Sequence, residues 1–379
     1  MPRVSDKLHL LAFGLVLALA AYLRFWAAPL SAGADAPQFW TFARVFQGYG
    51  LDFYRYAGAS LDIFPVKGWG FVYPPVWLLI LRLALVATPM SAATDTMVAV
   101  SWRLAMKTPI IAADMAIGCL IFWAVPGSKT RKLVFASLWL LHPTVWYESA
   151  VFGQFDAIAA VLLLAAVILL MQGRDRLAFL LAGLAVMTKQ HTAISVAMML
   201  AISAREMGWR RLISNGAIIA GVVVLFSLPF LLDGNFLSYA RALFLPGQVP
   251  GYLTLVYAFS GSGSLLTYLH DVFGWETAGL LRFTILVLVA AAIAAAVLCY
   301  RRSLTPAQGA LVGFLILVGL SYQVNYQYLI VFIPLALLVA ARTQYRGERI
   351  LALVLALLPA VWLWLFNISF WFTYLEPAS

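Results

Sequence analysis

Charge is what this sequence has least of. Only 11% of its 379 residues are Asp, Glu, Lys or Arg, against roughly a quarter in a soluble domain. With 64% hydrophobic residues, that scarcity excludes a water-soluble globular protein and points to a polytopic membrane protein. Cysteine is nearly absent. Cys119 and Cys299 both fall in apolar runs, which argues against a disulfide framework and a thiolate metal site. Histidine occurs four times, and no H-x3-H or H-E-x-x-H spacing is present, so no histidine-based metal motif is seen. There is no Gly-rich phosphate loop, no low-complexity tract, no separate soluble domain and no internal repeat. The missing repeat bears on function, because transporters often carry interrupted helices in matching positions of two halves.

What charge there is has a pattern. The net charge of +10 would suit a nucleic-acid partner if it were spread over one surface. Instead the base clusters in short connectors: Lys129, Arg131 and Lys132; Arg174 and Arg176; Arg205, Arg210 and Arg211; Arg301 and Arg302; Arg342, Arg346 and Arg349. Arg3 and Lys7 join them at the N-terminus. The positive-inside rule places these loops in the cytoplasm and makes nucleic acid an unneeded partner. Between them, apolar runs predict helices at about 8–28, 97–125, 132–148, 154–171, 177–189, 191–204, 210–231, 277–299, 307–323, 327–341 and 350–373, with ends uncertain by ~2–4 residues. The first resembles a signal peptide in composition and is read as a retained span.

Two segments need separate treatment. "YPPVWLLILRLALVAT" (73–88) has the look of a span, but counting it as one reverses the side of every later basic loop. It is therefore expected to be a re-entrant or interfacial helix. "LAGLAVMTKQHTAISVAMML" (181–200) places Lys189, Gln190 and His191 inside an apolar run. A lysine at a membrane helix centre costs about 2.5–3.5 kcal/mol, so two short helices meeting at Lys189-Gln190 are expected. In the resulting topology 29–96, 149–153, 188–191, 232–276 and 324–326 face the outer side. The chain then reads as one multi-pass domain, 1–379, with an external first loop (29–96) and an external lid-like loop (232–276).

The polar residues that are not topological anchors gather on that outer side. Asp35 opens an amphipathic stretch, either as a helix N-cap, with Pro37 in the first turn and Gln38 in the capping-box position, or as a general base. Tyr73 precedes two prolines. His142, Glu148, Gln154 and Asp156 share one turn, where capping and carbonyl contacts are the plainer roles. Lys189 is either a snorkelling lysine or an anion ligand. Arg241 is the only base of its long loop, and Gln323, Asn325 and Gln327 are amides at the start of a late helix.

In order and sidedness these features resemble the GT-C superfamily of membrane glycosyltransferases, in particular the dolichyl-phosphate-glucose glucosyltransferases and the polyprenyl-phosphate mannosyltransferases. The resemblance runs from Asp35, as the acidic residue of the first external loop, through Tyr73-Pro74-Pro75 to the "HP…GxFD" turn of His142-Pro143 and Gly153-Gln154-Phe155-Asp156. It continues through Lys189-Gln190 between two short helices to the external loop from Arg241 to Pro246. Two departures are visible: where the glucosyltransferases carry a His-Glu-Lys-like group, this chain has Asn325-Tyr326-Gln327, and the first loop has a lone Asp35 rather than a pair of acids.

The resemblance implies an all-α bundle of about eleven transmembrane helices plus a re-entrant or interfacial helix and an external first loop with amphipathic helices. It implies transfer of a hexose, glucose or mannose, from a polyprenyl-phosphate donor to an acceptor hydroxyl, the acceptor being a glycan, lipid-linked or other. Asp35 would be the base. Lys189 and Arg241 would hold the donor phosphate, and the other bases dispersed on the outer side, Lys67, Arg103 and Lys107, fit the same need by their sidedness. Gln190, His191, Tyr73, His142, Gln154, Asp156, Gln323 and Asn325 would shape the substrate site. No cofactor is required, although Asp35 with Asp156 leaves a divalent cation open. The expected location is a bacterial inner membrane, with membrane lipid as solvent and the site facing the exterior. The rival reading is a polytopic transporter or a flippase of lipid-linked sugars.

Overall fold

The computed structural model describes residues 4–31, 35–57, 70–91, 98–244, 283–321, 324 and 326–363. Among these residues all regular structure is helical. Apolar runs in lipid demand this, because a helix satisfies its backbone polar groups within one segment. In chain order the helices are α1 (Val4–Ala27), α2 (Asp35–Tyr49), the short α3 (Phe53–Tyr56), α4 (Pro75–Ala87), α5 (Val100–Ala124), α6 (Lys129–Leu140), the short α7 (Pro143–Trp146), α8 (Asp156–Met171), α9 (Asp175–Thr188), α10 (Ala193–Met207), α11 (Trp209–Leu231), α12 (Phe236–Phe244), α13 (Thr284–Arg301), α14 (Pro306–Leu320), α15 (Leu329–Arg342) and α16 (Arg346–Trp362).

Three segments, Lys7–Leu30, Val100–Ala124 and Trp209–Leu231, are long and apolar enough to cross a membrane. Pro75–Ala87, Asp156–Met171, Ile285–Arg301, Pro306–Leu320 and Leu329–Arg342 are shorter apolar helices. The helices are layered by burial. α15 is buried on all sides from Ile330 to Ala341, and α8 lies against α5, α9, α14 and α15. A helix apolar all round belongs in such a centre. α1, α11 and α13 lie at the periphery and expose large side chains such as Leu15, Leu225 and Leu286. That exposure suits lipid and would be a liability in water. α10 and α14 approach closely at Gly313, where a Cβ would stand 2.7 Å from the Ser195 Cα; small residues set such helix contacts in membranes.

A buried ion pair ties the first helix to the bundle. Arg24 Nε donates to Asp114 Oδ2 at 2.9 Å and Arg24 Nη1 to the Leu140 carbonyl at 2.9 Å. Ser149 Oγ also donates to Asp114. At the opposite end of the bundle the connector arginines close helix C-termini: Arg131 donates to the Ala341 carbonyl at 2.7 Å and Arg342 to that of Ala124 at 3.0 Å. Cations are favoured at those ends, where carbonyls lack helical partners.

The sequence expectation of one helix over 132–148 is corrected. α6 stops at Leu140, and His142 is extended ahead of Pro143, as a residue before proline tends to be. One turn of π-helix follows at Tyr147–Phe152 and ends on Gly153 at φ +84°. A Cβ at Gly153 would lie 2.9 Å from Met106 Cε and 3.0 Å from Lys107 Cε. Gly153→Ala is therefore expected to destabilise the protein by about 1–3 kcal/mol, seen as a lower melting temperature of the purified protein in detergent.

Candidate active site

The π-turn matters because of what it presents. Such turns recur at functional sites, where they re-aim side chains. Gln154, Phe155 and Asp156 follow it and lead into α8, and all three are fully buried. α8 and α9 pack side by side, joined by a short connector from Gln172 to Arg174. The start of α8 and the end of α9 therefore share one end of the bundle. Asp156 thereby meets Lys189.

Lys189 is extended (φ −147°, ψ 113°) at the end of α9, and Gln190–Thr192 form a 3₁₀ turn before α10. The expected break between two short helices is present. Its lysine is 1% exposed, so it does not snorkel to water. Nζ donates to Asp156 Oδ2 and sits over three rings, at 4.4 Å from the centroid of Phe155, 5.2 Å from Tyr328 and 5.3 Å from Tyr73. Aromatic faces attract a desolvated cation in this way. His191 Nε2 lies 3.9 Å from Asp156 Oδ1. Gln190 Nε2 donates to the Val72 carbonyl at 2.7 Å, which ties the break to the segment before α4.

Asp35 reaches the same cluster from α2. It does not act through the capping geometry alone: its Oδ2 accepts from Gln154 Nε2, and Gln154 Oε1 accepts from Gln327 Nε2 at 3.1 Å. Burial pushes the Asp35 carboxyl up from 3.8 to about 6, the Gln154 hydrogen bond and Lys189 pull it down, and Asp156 pushes it up again. Around it, the elements that precede and start α4 form an aromatic wall. Trp77 stacks on Phe155 at 4.3 Å, Tyr73 meets Phe155 edge-on at 4.9 Å, and Phe39 of α2 packs against Trp77 at 5.4 Å.

Four segments distant in sequence thus bring together Asp35, Tyr73, Gln154, Asp156, Lys189, Gln190 and His191. Other candidates lie elsewhere. Lys107 is spent: its ammonium has three protons to donate, and the carbonyls of Ala28 (3.0 Å), Ser31 (2.6 Å) and Val151 (2.9 Å) take them. It clamps the end of α1 to the π-turn. Arg103 is buried one turn before it on α5. His142 is turned to α16, with Nε2 3.1 Å from the Ala356 carbonyl oxygen. Arg241 is exposed on α12, and no contact joins it to the cluster among the described residues. Gln323 and Asn325, and residues 245–276 of the lid-like loop, lie outside the described residues.

Two members of the cluster were left without a role by sequence reasoning. Gln327 is the last of the three amides, and only the fold shows it reaching Gln154. Glu148 lies in the π-turn, fully buried, where the charges of Asp156, Asp35 and Lys189 act on it. Its proximity in sequence to Gln154 and Asp156 was the available signal.

Comparison with known proteins bears on this arrangement. No curated protein matches the chain. The sequence profile of glycosyltransferase family 87 matches residues 71–321, well over half of the chain. The match takes in Tyr73, Glu148, Gln154, Asp156 and the Lys189 break, and leaves Asp35 and Gln327 outside it. Apolar helices, a buried polar cluster at one end of the bundle and this match agree: the chain belongs to glycosyltransferase family 87.

Proposed function

We propose that the protein transfers a hexose, glucose or mannose, from a polyprenyl-phosphate-linked donor to an acceptor hydroxyl at the outer face of a bacterial inner membrane. The observation that carries this reading is that a buried carboxylate, Asp35, and a buried cation, Lys189, belong to one cluster: Asp35 accepts from Gln154, two residues before the Asp156 that pairs with Lys189. Glycosyl transfer from a lipid phosphate needs both. The acceptor oxygen attacks the anomeric carbon while Asp35 takes its proton. The bond from that carbon to the phosphate oxygen breaks, the phosphate leaves with the electron pair, and Lys189 stabilises it. The transition state has oxocarbenium character. A single displacement inverts the anomeric centre. The leaving phosphate is a weak base, so no general acid is required.

A bundle of about eleven crossing helices belongs to the same proposal, with α2 to α4 as the external first loop. The connector arginines at the far end from Asp35 and Lys189 support the outward orientation. A base with its carboxyl at about 6 sets the pH dependence. Below that pH Asp35 is protonated and cannot accept the acceptor's proton, so kcat/KM is expected to rise with pH through about 6 and level off above. The check is transfer from farnesyl-phosphate-linked mannose or glucose by purified protein across this range. A profile flat through pH ~6 would remove Asp35 from the role of base.

A further inference from the structure

Several hydrogen-bond acceptors of the cluster have no partner among the described residues. The amide nitrogens of Gln154, Gln190 and Gln327 and the ammonium of Lys189 already donate to protein oxygens. Among the described residues, no group donates to Asp35 Oδ1, Asp156 Oδ1, Gln190 Oε1 or either oxygen of Glu148. Glu148 is the extreme case: its side chain is fully buried, both oxygens lack a partner among the described residues, and two other carboxylates act on it. A buried polar group without a partner costs stability, and neighbouring negative charge adds to that cost. A side chain with no bond to the described protein, held in a π-turn whose end its own carbonyl ties to Gln154, is suited to a ligand.

We infer that Glu148 binds hydroxyl groups of the transferred hexose. The ligand chemistry follows from the atoms. Unpartnered oxygens of a buried carboxyl group accept from hydroxyls, and the two oxygens of one carboxyl group suit adjacent ring hydroxyls. The site is thus divided, with Lys189 at the phosphate end and Glu148 at the sugar end. This inference rests on the reading of a polyprenyl-phosphate-linked donor, and the experiment separates the two.

Binding of farnesyl-phosphate-linked mannose, farnesyl-phosphate-linked glucose and plain farnesyl phosphate is measured on the full-length protein in nanodiscs, for wild type, Glu148→Ala and Glu148→Gln. The expected result has wild type binding one sugar-bearing probe more tightly than farnesyl phosphate. Glu148→Ala then weakens the sugar-bearing probe about 10- to 100-fold and leaves farnesyl phosphate unchanged, and Glu148→Gln loses less. A melting-temperature arm needs no ligand: Glu148→Gln is expected to melt at or above the wild-type temperature, since the group is held at a cost to the fold. Equal weakening of all three probes, no weakening of any, no sugar increment in wild type, or a Glu148→Gln protein several degrees less stable would each overturn the assignment. Failure of wild type to bind any probe would overturn the donor reading itself and the Glu148 assignment with it.

Discussion

Asparagine in place of Asp35 is expected to slow transfer by about 10²- to 10⁴-fold, the usual contribution of a positioned general base. The substitution isolates chemistry from folding. Asparagine keeps the side-chain shape and an oxygen able to accept from Gln154, so the Asp35–Gln154–Gln327 chain of hydrogen bonds survives. It removes a buried negative charge from a cluster that already holds Asp156 and Glu148, so no loss of stability is expected. What is lost is the lone pair basic enough to take the acceptor's proton. Product formation from a farnesyl-phosphate-linked hexose, followed by mass spectrometry, measures the effect. Activity within a few-fold of wild type would mean that another group is the base.

The second large effect concerns Lys189. From sequence alone, Lys189→Ala is expected to damage donor binding and leave the fold intact. The structure changes the second half of that expectation. Lys189 is the partner of Asp156 in a fully buried ion pair, and removing one member of such a pair strands the other, at a cost of about 3–5 kcal/mol. That is a large share of the stability of an ordinary domain. The informative variant removes both charges. Replacing Lys189 with Met and Asp156 with Asn together is expected to keep the protein folded, since neutral replacements of a buried pair are often tolerated. It should weaken farnesyl phosphate binding about 10- to 100-fold, as loss of a charged hydrogen bond does. A folded double variant that binds farnesyl phosphate as wild type does would make Lys189 only the counter-ion of Asp156.

The contrast between Lys189 and Lys107 shows how the two were separable in space and not in sequence. Each is a lone lysine in an apolar run, and each is costly there. Lys107 faces three carbonyls, at the end of α1, at Ser31 and in the π-turn. Lys189 faces one carboxylate and three aromatic rings. Sequence reasoning treats both as phosphate ligands because it sees the charge and its depth, and not the groups across from it.

Much of the helical order was determined by the sequence itself. Apolar runs can exist in lipid only as helices, so α1, α5, α8, α11 and α15 follow from composition and length. Pro74-Pro75 starts α4 because proline suits the first helical position, and a lysine in mid-run broke α9 from α10 where a break was expected. The tertiary structure decided the partners. Asp35 and Gln154 are 119 residues apart and Gln327 is 173 beyond Gln154, and nothing local specifies such bonds. It also decided the π-turn that carries Glu148, which an apolar pattern with a tolerated proline does not announce. Helix formation is governed by neighbours along the chain, whereas the role of a buried polar group is set by what packing places opposite it, because at low dielectric that partner determines whether burial is tolerated.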